Sequence, residues 1–390
     1  MVEKIIEHLS DFDYEKRMGA LDTVSKLIKN GTITKYNQQF PYDNMHIHSF
    51  HSFNYKNWSP SRIILEAYRY GLKHTGIVDF DTLAALEETL TASKLIGVPS
   101  LGGLETRVHV PEFADRVINS PGEPGIYYIN GMGFRKVPQP GSEAEKIYKN
   151  LHKISERRNK KVVEKLNEFL SPVKIDYEKD VLPLTPSGNP TERHIIKAYI
   201  EKSESMSGNR FNVFWSEILK IPGEKIEQLK NEKIGDFMEK IRSVLVKNGG
   251  PGYVKPEPET FPQMADFVRM VKESGGIVVG NWLDGTNSGE ENPEEFLEFM
   301  LSQGVKIMNI IPERNWNIEN LEEKAKKVKK LDQFMDACKK MNVPVICGTE
   351  MNKFGQPFVD NFNAPELKKH IEWFEKSVLT VFDTELISSI

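Results

Sequence analysis

Residues 45–80 of the chain, MHIHSFHSFNYKNWSPSRIILEAYRYGLKHTGIVDF, combine a strand, a helix and a second strand. The short apolar stretch MHIHSF is followed by a segment in which Ser59 can cap a helix, Pro60 can occupy its first position and Gly71 can end it. The run HTGIVDF then has the character of a buried strand. This order of elements is typical of a parallel sheet or barrel.

The same alternation extends along the rest of the chain. We predict a helix over 82–95, a strand in the glycine-broken run 97–110, a long helix over about 143–170 and a last helix over about 365–378. Three further strands are predicted in GGIVVG, VKIMNII and VPVICGTE. The segment SPGEPGIYYINGMGF (120–134) is rich in Gly and Pro and is predicted to be a loop.

Two helical segments lie outside this alternation. Residues 1–40 carry apolar positions at helical spacing, which predicts an N-terminal helical extension ahead of the main fold at 41–390. Within the main fold, residues of about 203–250 are predicted to form a helical insertion that ends at the loop NGGPGYV.

The composition is that of an ordinary globular protein. Of the 390 residues, 39% are hydrophobic and 28% are charged, and no stretch approaches the run of about 18 apolar residues that a membrane span needs. The acidic, helical start lacks the features of a secretory signal, so we expect a cytoplasmic protein. A net charge of −4 offers no general attraction to phosphate backbones, so we expect no nucleic-acid partner. Oligomeric state stays open.

A candidate metal site begins with His46 and His48. In a strand these two side chains point to the same face and can hold one ion at about 2.0–2.1 Å, the distance of zinc from imidazole nitrogen. Such a pair also occurs in strands that bind no metal. Three acids, Asp79, Glu105 and Glu350, end strand-like runs elsewhere. Because ligands collect at the carboxyl ends of parallel strands, we expect these acids beside the histidines.

The chain resembles the polymerase and histidinol phosphatase (PHP) family of metal-dependent phosphoesterases in five successive segments. These are MHIHSFHS, SPSRIILEAYRYGLKHTGIVDF, LIGVPSLGGLETRV, RRNKKVVEKLNEFL and PTERHIIKAYIEK. The family opens with HxHSxxSD, followed by a strand ending in TDH and then by GxE. The resemblance covers about residues 44–352 apart from the helical insertion. It implies a distorted (β/α)7 TIM-like barrel with up to three metal ions and a bridging hydroxide that attacks phosphorus.

The resemblance implies specific ligands. His46, His48 and Glu105 match the ligands of the first metal, and Glu350 stands where the family has a closing Asp. At the second metal, Glu105 would bridge and His194 would match the middle histidine. We therefore expect one or two divalent ions, and a set of His and carboxylate ligands accepts zinc, manganese or iron.

Several positions depart from the family pattern. Asn281 stands where a histidine is expected after GGIVVG, and an amide oxygen is a poorer zinc ligand than imidazole. At the third metal, Phe53, Phe80 and Asn352 replace the expected Asp, His and His. Because phenyl rings cannot coordinate a metal, we expect the third ion to be absent, and His51 is the nearby side chain that could restore part of its site.

With fewer ions, the charge on a transferring phosphoryl group must be neutralised by side chains. The candidates are Arg107, Arg193, Arg314 and Lys353, each near a predicted strand end or ligand, although each is also suited to a structural role. Asp79 could accept a proton, or it could orient a ligand histidine without binding the metal itself. We favour the second role.

Three functions remain open from the sequence. The first is a PHP-type metal-dependent hydrolase acting on a small phosphorylated or otherwise anionic substrate. The second is a single-metal isomerase, epimerase or lyase acting on a sugar or sugar acid, because one Lewis-acid ion can polarise a carbonyl. The third is a non-catalytic protein that binds metal or a ligand.

Overall fold

The computed structural model describes residues 1–206, 210–256 and 260–382. Seven strands form one sheet in which each strand lies beside its neighbour in the chain. Their bounds are Asp43–Ile47 (β1), His74–Phe80 (β2), Ser100–His109 (β3), Ile126–Met132 (β4), Ile277–Trp282 (β5), Ile307–Ile310 (β6) and Val345–Cys347 (β7).

Fifteen α-helices accompany these strands in the described residues. Those before β5 are Val2–His8 (α1), Tyr14–Lys29 (α2), Pro60–Tyr70 (α3), Leu86–Ile96 (α4), Glu143–Phe169 (α5), Glu192–Glu204 (α6), Arg210–Leu219 (α7), Gly223–Glu232 (α8), Ile234–Leu245 (α9) and Met264–Glu273 (α10). Those after β5 are Pro293–Ser302 (α11), Glu313–Trp316 (α12), Leu321–Lys340 (α13), Pro365–Lys368 (α14) and Ile371–Phe382 (α15).

The sheet nearly closes into a barrel where the last strand meets the first. Ile47 forms a parallel bridge with Glu350, the amide of His48 donates to the carbonyl of Glu350 at 2.8 Å, and the amide of Glu350 donates to the carbonyl of His46 at 2.8 Å. Gly348 lies against His46 so closely that a Cβ there would stand 2.4 Å from the His46 backbone nitrogen. The predicted distorted seven-stranded barrel is confirmed.

One strand runs opposite to the others, so the sheet is mixed where a parallel sheet or barrel was expected, and the prediction of a loop over 120–134 is wrong. β4 pairs antiparallel with both β3 and β5, and its register places Glu105 opposite Asn130. Except for Gly131, the Gly and Pro residues that suggested a loop lie on either side of IYYINGM, which is the strand itself. Because β4 is reversed, its N-terminal half lies at the rim where the other strands end.

The N-terminal helices pack on the outside of the barrel. Apolar side chains of α1 and α2 share one buried cluster with those of α3 and α4. The guanidinium of Arg17 in α2 forms a buried ion pair with Glu88 in α4 at 3.0 Å. The helical insertion, α7 to α9, packs with α5 and α6 around the fully buried Trp215 and forms a second cluster.

Two predicted helices have different bounds. The helix predicted from residue 82 begins at Leu86, because the Thr82 hydroxyl accepts from the amide of Ala84 at 3.1 Å and holds a turn there. The helix predicted over 365–378 is divided into α14 and α15, and the break lies where Lys369 and His370 both contact Asp332. Among the described helices, none is both long and apolar enough to cross a bilayer.

The inner face of the barrel changes from apolar to polar along the strands. On β5, Ile277, Val279 and Asn281 alternate onto one face, and on β6 Ile307 and Asn309 do the same. The apolar members form a cluster that α15 covers through Val378 and Val381. The amides are buried further along each strand, where they can reach the side chains of neighbouring strands.

Candidate metal centre

Three buried side chains, His46, His48 and Glu105, bring their ligand atoms together at the end of the barrel. His46 lies in β1, His48 directly follows it, and Glu105 lies in β3. The two Nε2 atoms are 3.4 Å apart, and Oε2 of Glu105 lies 3.5 Å from Nε2 of His46 and 3.2 Å from Nε2 of His48. Among the described residues this is the one group of three such ligands.

The spacing of these three atoms suits one divalent ion. Ligands at about 2.1 Å from a tetrahedrally coordinated zinc are separated from one another by about 3.4 Å. The three separations between the ligand atoms of His46, His48 and Glu105 are 3.2, 3.4 and 3.5 Å, close to that ligand-to-ligand distance. Burial raises the pKa of Glu105, but the facing His46 and His48 lower it to below its usual value, so the carboxylate is ionised. Three protein ligands with a fourth position for water is the arrangement of catalytic zinc sites.

His48 is held in the tautomer that a metal ligand requires. Asp79 is fully buried and accepts from the Ser49 amide at 2.8 Å, from the Ser49 hydroxyl at 2.6 Å and from the Ser52 hydroxyl at 2.6 Å. The Ser52 oxygen also lies 3.3 Å from Nδ1 of His48. Because the one hydroxyl proton of Ser52 goes to Asp79, Nδ1 of His48 donates to Ser52. Nε2 therefore keeps its lone pair free for an ion.

Asn281 lies at the centre of a cluster of buried amides. Its Oδ1 accepts from Asn130 at 3.1 Å and from Asn309 at 3.0 Å, and its Nδ2 donates to Oε1 of Glu105 at 3.1 Å. The amide oxygen of Asn281 thus points to other amides, and its amide nitrogen orients the ligand Glu105 through a hydrogen bond. A direct ligand role for Asn281 stays a prediction that this arrangement does not support.

The same amides surround the other nitrogen of His46. Nδ2 of Asn130 and Nδ2 of Asn309 lie 3.2 and 3.1 Å from Nδ1 of His46. A histidine that binds metal through Nε2 carries its proton on Nδ1 and needs an acceptor there. Oδ1 of Asn309 is buried and has no hydrogen-bond partner among the described residues. A half-turn of that amide would bring Oδ1 to Nδ1 of His46 and would give up the hydrogen bond from Asn309 to Asn281.

Glu350 lies beside the centre but is paired with Arg314. Both carboxylate oxygens contact Nη2 of Arg314, at 2.8 and 2.9 Å, and one of them accepts from Gln356 at 3.2 Å. Burial opposes ionisation, yet Arg314, His46 and His48 lower the pKa of Glu350 to about 2. The carboxylate is therefore charged, and in this arrangement its charge is balanced by a guanidinium.

His194 lies in a helix cap and outside the three-residue cluster. Its Nδ1 accepts from the backbone amide of Thr191 at 3.0 Å, which closes the capping box at the start of α6. Burial, with smaller effects from Lys197 and Arg193, lowers the pKa of His194 to about 3. The neutral ring then carries its proton on Nε2, so this arrangement favours a capping role, and the ligand role stays a prediction.

Aromatic rings occupy the positions expected to lack ligands. Phe80 stacks on the His48 ring at 4.3 Å, and Phe53 makes an edge contact with the His194 ring at 5.2 Å. Asn352 lines the neighbouring cavity. His51 is buried, and neither ring nitrogen has a hydrogen-bond partner among the described residues; burial lowers its pKa. His51 does not join the ligand cluster.

A cavity of about 580 Å³ opens beside the cluster, and His46 and Glu105 form part of its wall. All four candidate cations, Arg107, Arg193, Arg314 and Lys353, also line it. Arg107 pairs with Glu123 at 3.0 Å and Arg193 pairs with Glu239 at 2.6 Å. Lys353 is exposed and has no ion pair within 4 Å among the described residues.

Sequence reasoning missed the residues that hold the ligands in place. Ser52 ends the segment MHIHSFHS and had no predicted role, and Asn130 lay in the segment predicted to be a loop. Asn309 sits in the run VKIMNII, where a single amide among apolar residues was the available signal. A polar residue at a buried strand position requires a partner, so this amide indicated an internal hydrogen bond.

Comparisons with known proteins show the fold. No family model matches the chain, and no curated protein matches it. A solved structure from Bifidobacterium adolescentis, described by inference as a metal-dependent phosphoesterase, is 18% identical over 86% of this chain and 96% of its own, with a TM-score of 0.54. An amidohydrolase from Chromobacterium violaceum, solved with sulfate and no metal, is 15% identical over 86% of this chain and 96% of its own, with a TM-score of 0.56. The chain therefore shares the barrel fold of these two proteins.

Proposed function

We propose that this protein is a metal-dependent hydrolase of the PHP type that acts on a small anionic ester, with a phosphate monoester as the first substrate to test. One observation carries the proposal: three buried ligand atoms are spaced at 3.2 to 3.5 Å in the wall of an open cavity. That is the spacing of a site that holds one ion and keeps a position open for water. The resemblance of the sequence to the PHP family and the shared fold support this proposal.

His46, His48 and Glu105 would hold the ion, and a bound divalent ion supplies Lewis-acid activation of water and of a substrate oxygen. Arg193 and Lys353 line the cavity and would attract an anionic substrate. The Glu350 carboxylate is ionised and paired with Arg314 beside both histidines, so this pair would place a guanidinium next to the anionic substrate.

Asp79 has a supporting role in this proposal. Its three hydrogen bonds to Ser49 and Ser52 leave it buried and directed away from the cavity. It would therefore set the tautomer of His48 through Ser52 and would not accept a proton from the substrate.

A single-metal isomerase, epimerase or lyase is the second candidate. The observation in its favour is that the described residues contain one three-ligand cluster, whereas phosphoester hydrolysis in the family uses several ions. One ion with a nearby carboxylate can stabilise an enediolate as well as activate water.

The test measures bound metal and reaction together. Protein purified without chelator is analysed for zinc, manganese and iron, and is then assayed for phosphate release from a panel of phosphate monoesters before and after chelation. The His48→Ala variant tests the ligand set, and His8→Ala, at an exposed position of α1, is the matched control.

We expect about one ion per chain, loss of that ion in His48→Ala, its retention in His8→Ala, and phosphate release that disappears on chelation. One ion without phosphate release, but with turnover of a sugar or sugar acid, would select the second candidate. Metal binding that His48→Ala leaves unchanged would refute the site itself.

A further inference from the structure

A group of basic side chains surrounds one buried carboxylate in the wall of the cavity. Glu192, in the first turn of α6, accepts from Arg158 of α5 at 2.8 Å, from Arg242 of α9 at 3.0 Å and from Lys247 just after α9 at 3.1 Å. All four residues line the cavity. The helical insertion thus contributes two of the three cations that contact Glu192.

The basic wall, which we define as Glu192 with its three cations and the neighbouring ion pairs Arg107–Glu123 and Arg193–Glu239, carries an excess of positive charge. Its cations are Arg107, Arg158, Arg193, Arg242 and Lys247, and its carboxylates are Glu123, Glu192 and Glu239. Five positive and three negative charges leave a net charge of +2. Removing unbalanced charge from water is costly, so a partly buried wall of this kind favours an anion that supplies the missing charge.

Two side chains show that the resident carboxylates leave cations incompletely satisfied. Arg158 is 9% exposed, and its Nε atom is buried without a hydrogen-bond partner among the described residues. Partial burial together with Arg242 and Arg107 lowers the pKa of Lys247 to about 8, although Glu192 opposes that shift. An additional anionic oxygen would accept a hydrogen bond from the unused Nε of Arg158 and would stabilise the charged form of Lys247.

We infer that the basic wall is a second anion subsite, which binds an anionic group of the substrate other than the one that reacts. This inference rests on the proposed function and specifies it further: the substrate would carry two anionic groups, each a phosphate, sulfate or carboxylate. The reacting group would lie at the ligand cluster, and the second group would lie against Arg158, Arg242 and Lys247.

The strand geometry relates the two sites to each other. Arg107 belongs to the basic wall and is two residues from Glu105 on β3, so their side chains share one face of the strand. Two residues along a strand span about 7 Å. A small molecule with anionic groups separated by a few covalent bonds can therefore reach both sites within one cavity of about 580 Å³.

The test uses sulfate as the probe, because sulfate stays a dianion across the working pH range. Sulfate is titrated by calorimetry into the full-length protein after chelation, at constant ionic strength, so that an ion at the ligand cluster cannot contribute. The variant is Lys247→Met, whose side chain is 41% exposed and is therefore not required by the core. The control is Lys240→Met, which changes an exposed lysine of the preceding helix α9.

We expect one sulfate per chain, at least five-fold weaker binding in Lys247→Met, and unchanged binding in Lys240→Met. Glu192→Gln removes the resident negative charge and should strengthen sulfate binding. Equal affinities in the parent and in Lys247→Met, or equal losses in both lysine variants, would overturn the subsite, because the effect would then be absent or a general effect of surface charge.

The outcome is independent of whether the protein is a hydrolase, since the titration needs neither metal nor turnover. If a substrate is found, KM should rise more in Lys247→Met for substrates with two anionic groups than for those with one, and KM should stay unchanged for both in Lys240→Met. Sulfate binding without phosphate release would leave the subsite in place and would refute only the proposed reaction.

Discussion

The hydroxyl of Ser52 donates its one proton to the carboxylate of Asp79 at 2.6 Å, so the serine oxygen can only accept further hydrogen bonds. The oxygen is left as an acceptor for Nδ1 of His48, so Nε2 of His48 is available to a metal ion. We predict that Ser52→Ala weakens metal binding by about 10- to 100-fold, the usual effect of removing a group that orients a ligand. Titration with zinc against a competing chelator measures this change.

Ser25→Ala is the control for that experiment. Ser25 is also buried and donates to the carbonyl of Leu95 at 2.9 Å, but it lies in α2, away from the ligands. It should lower the free energy of unfolding without changing metal affinity. Equal metal affinity in the two variants would show that the contacts from Asp79 through Ser52 to His48 do not set the tautomer of His48.

Arg314→Met should raise metal affinity and weaken the binding of an anionic substrate. The guanidinium neutralises Glu350 beside the histidines, so its removal leaves one more uncompensated negative charge next to the ion. We expect the metal dissociation constant to fall several-fold and KM to rise. Arg116→Met, which removes an exposed pair with Glu295, is the control and should change neither quantity. Weaker metal binding in Arg314→Met would contradict this account.

The pH dependence of stability should report the burial of His194. Its folded pKa of about 3 lies below the value of about 6.5 expected when the chain unfolds. The neutral ring therefore contributes stability above pH 6.5, and this contribution is lost as the pH falls from 6.5 toward 3. His194→Gln keeps an acceptor for the capping box and removes the titration.

We expect wild-type protein and His194→Gln to differ little in free energy of unfolding at pH 7.5. Between pH 6.5 and pH 4 the wild type should lose stability relative to the variant, as measured by urea denaturation at each pH. A constant difference across that range would mean that His194 titrates alike in the folded and unfolded chain.

Gly348→Ala should displace His46. A Cβ at residue 348 would meet the nitrogen and Cβ of His46 at 2.4 Å, and backbone on both sides prevents relief by a side-chain rotation. We expect a loss of metal binding and a destabilisation of about 1–3 kcal/mol, as overpacking in a core usually causes. Gly19→Ala is the control, because a Cβ there meets nothing within 4 Å and alanine favours the interior of α2. Equal stability changes in the two variants would rule out the steric explanation.

The order of most elements could be predicted from the sequence because their signals are local. Ser59 caps α3 through its side chain and Gly71 ends that helix in a left-handed conformation, as their residue types indicate. β4 was missed because glycine and proline on either side of it outweighed a short aromatic core. Its reversed direction depends on pairing with β3 and β5, which no local pattern records.

The candidate site was predictable only in part for the same reason. His46, His48 and Glu105 are brought together by the alternation within strands and by neighbouring strands, both of which the sequence indicates. Whether Glu350 faces an ion or Arg314 is decided by side-chain packing at the rim. The capping contact of His194 involves residues three apart, so the pattern Thr191 to His194 contained that information.

The seam between the first and last strands has a consequence for synthesis of the chain. The edge of β1, which carries His46, finds its partner only in residues 348–350, about three hundred positions later. Until the ribosome has made that segment, the edge of β1 has its backbone groups unpaired and can join a strand of another nascent chain. His46, His48 and Glu105 all lie within the first 105 residues, so they could bind a metal ion before synthesis is complete. Such an ion would link β1 to β3 and would oppose pairing of β1 with another nascent chain.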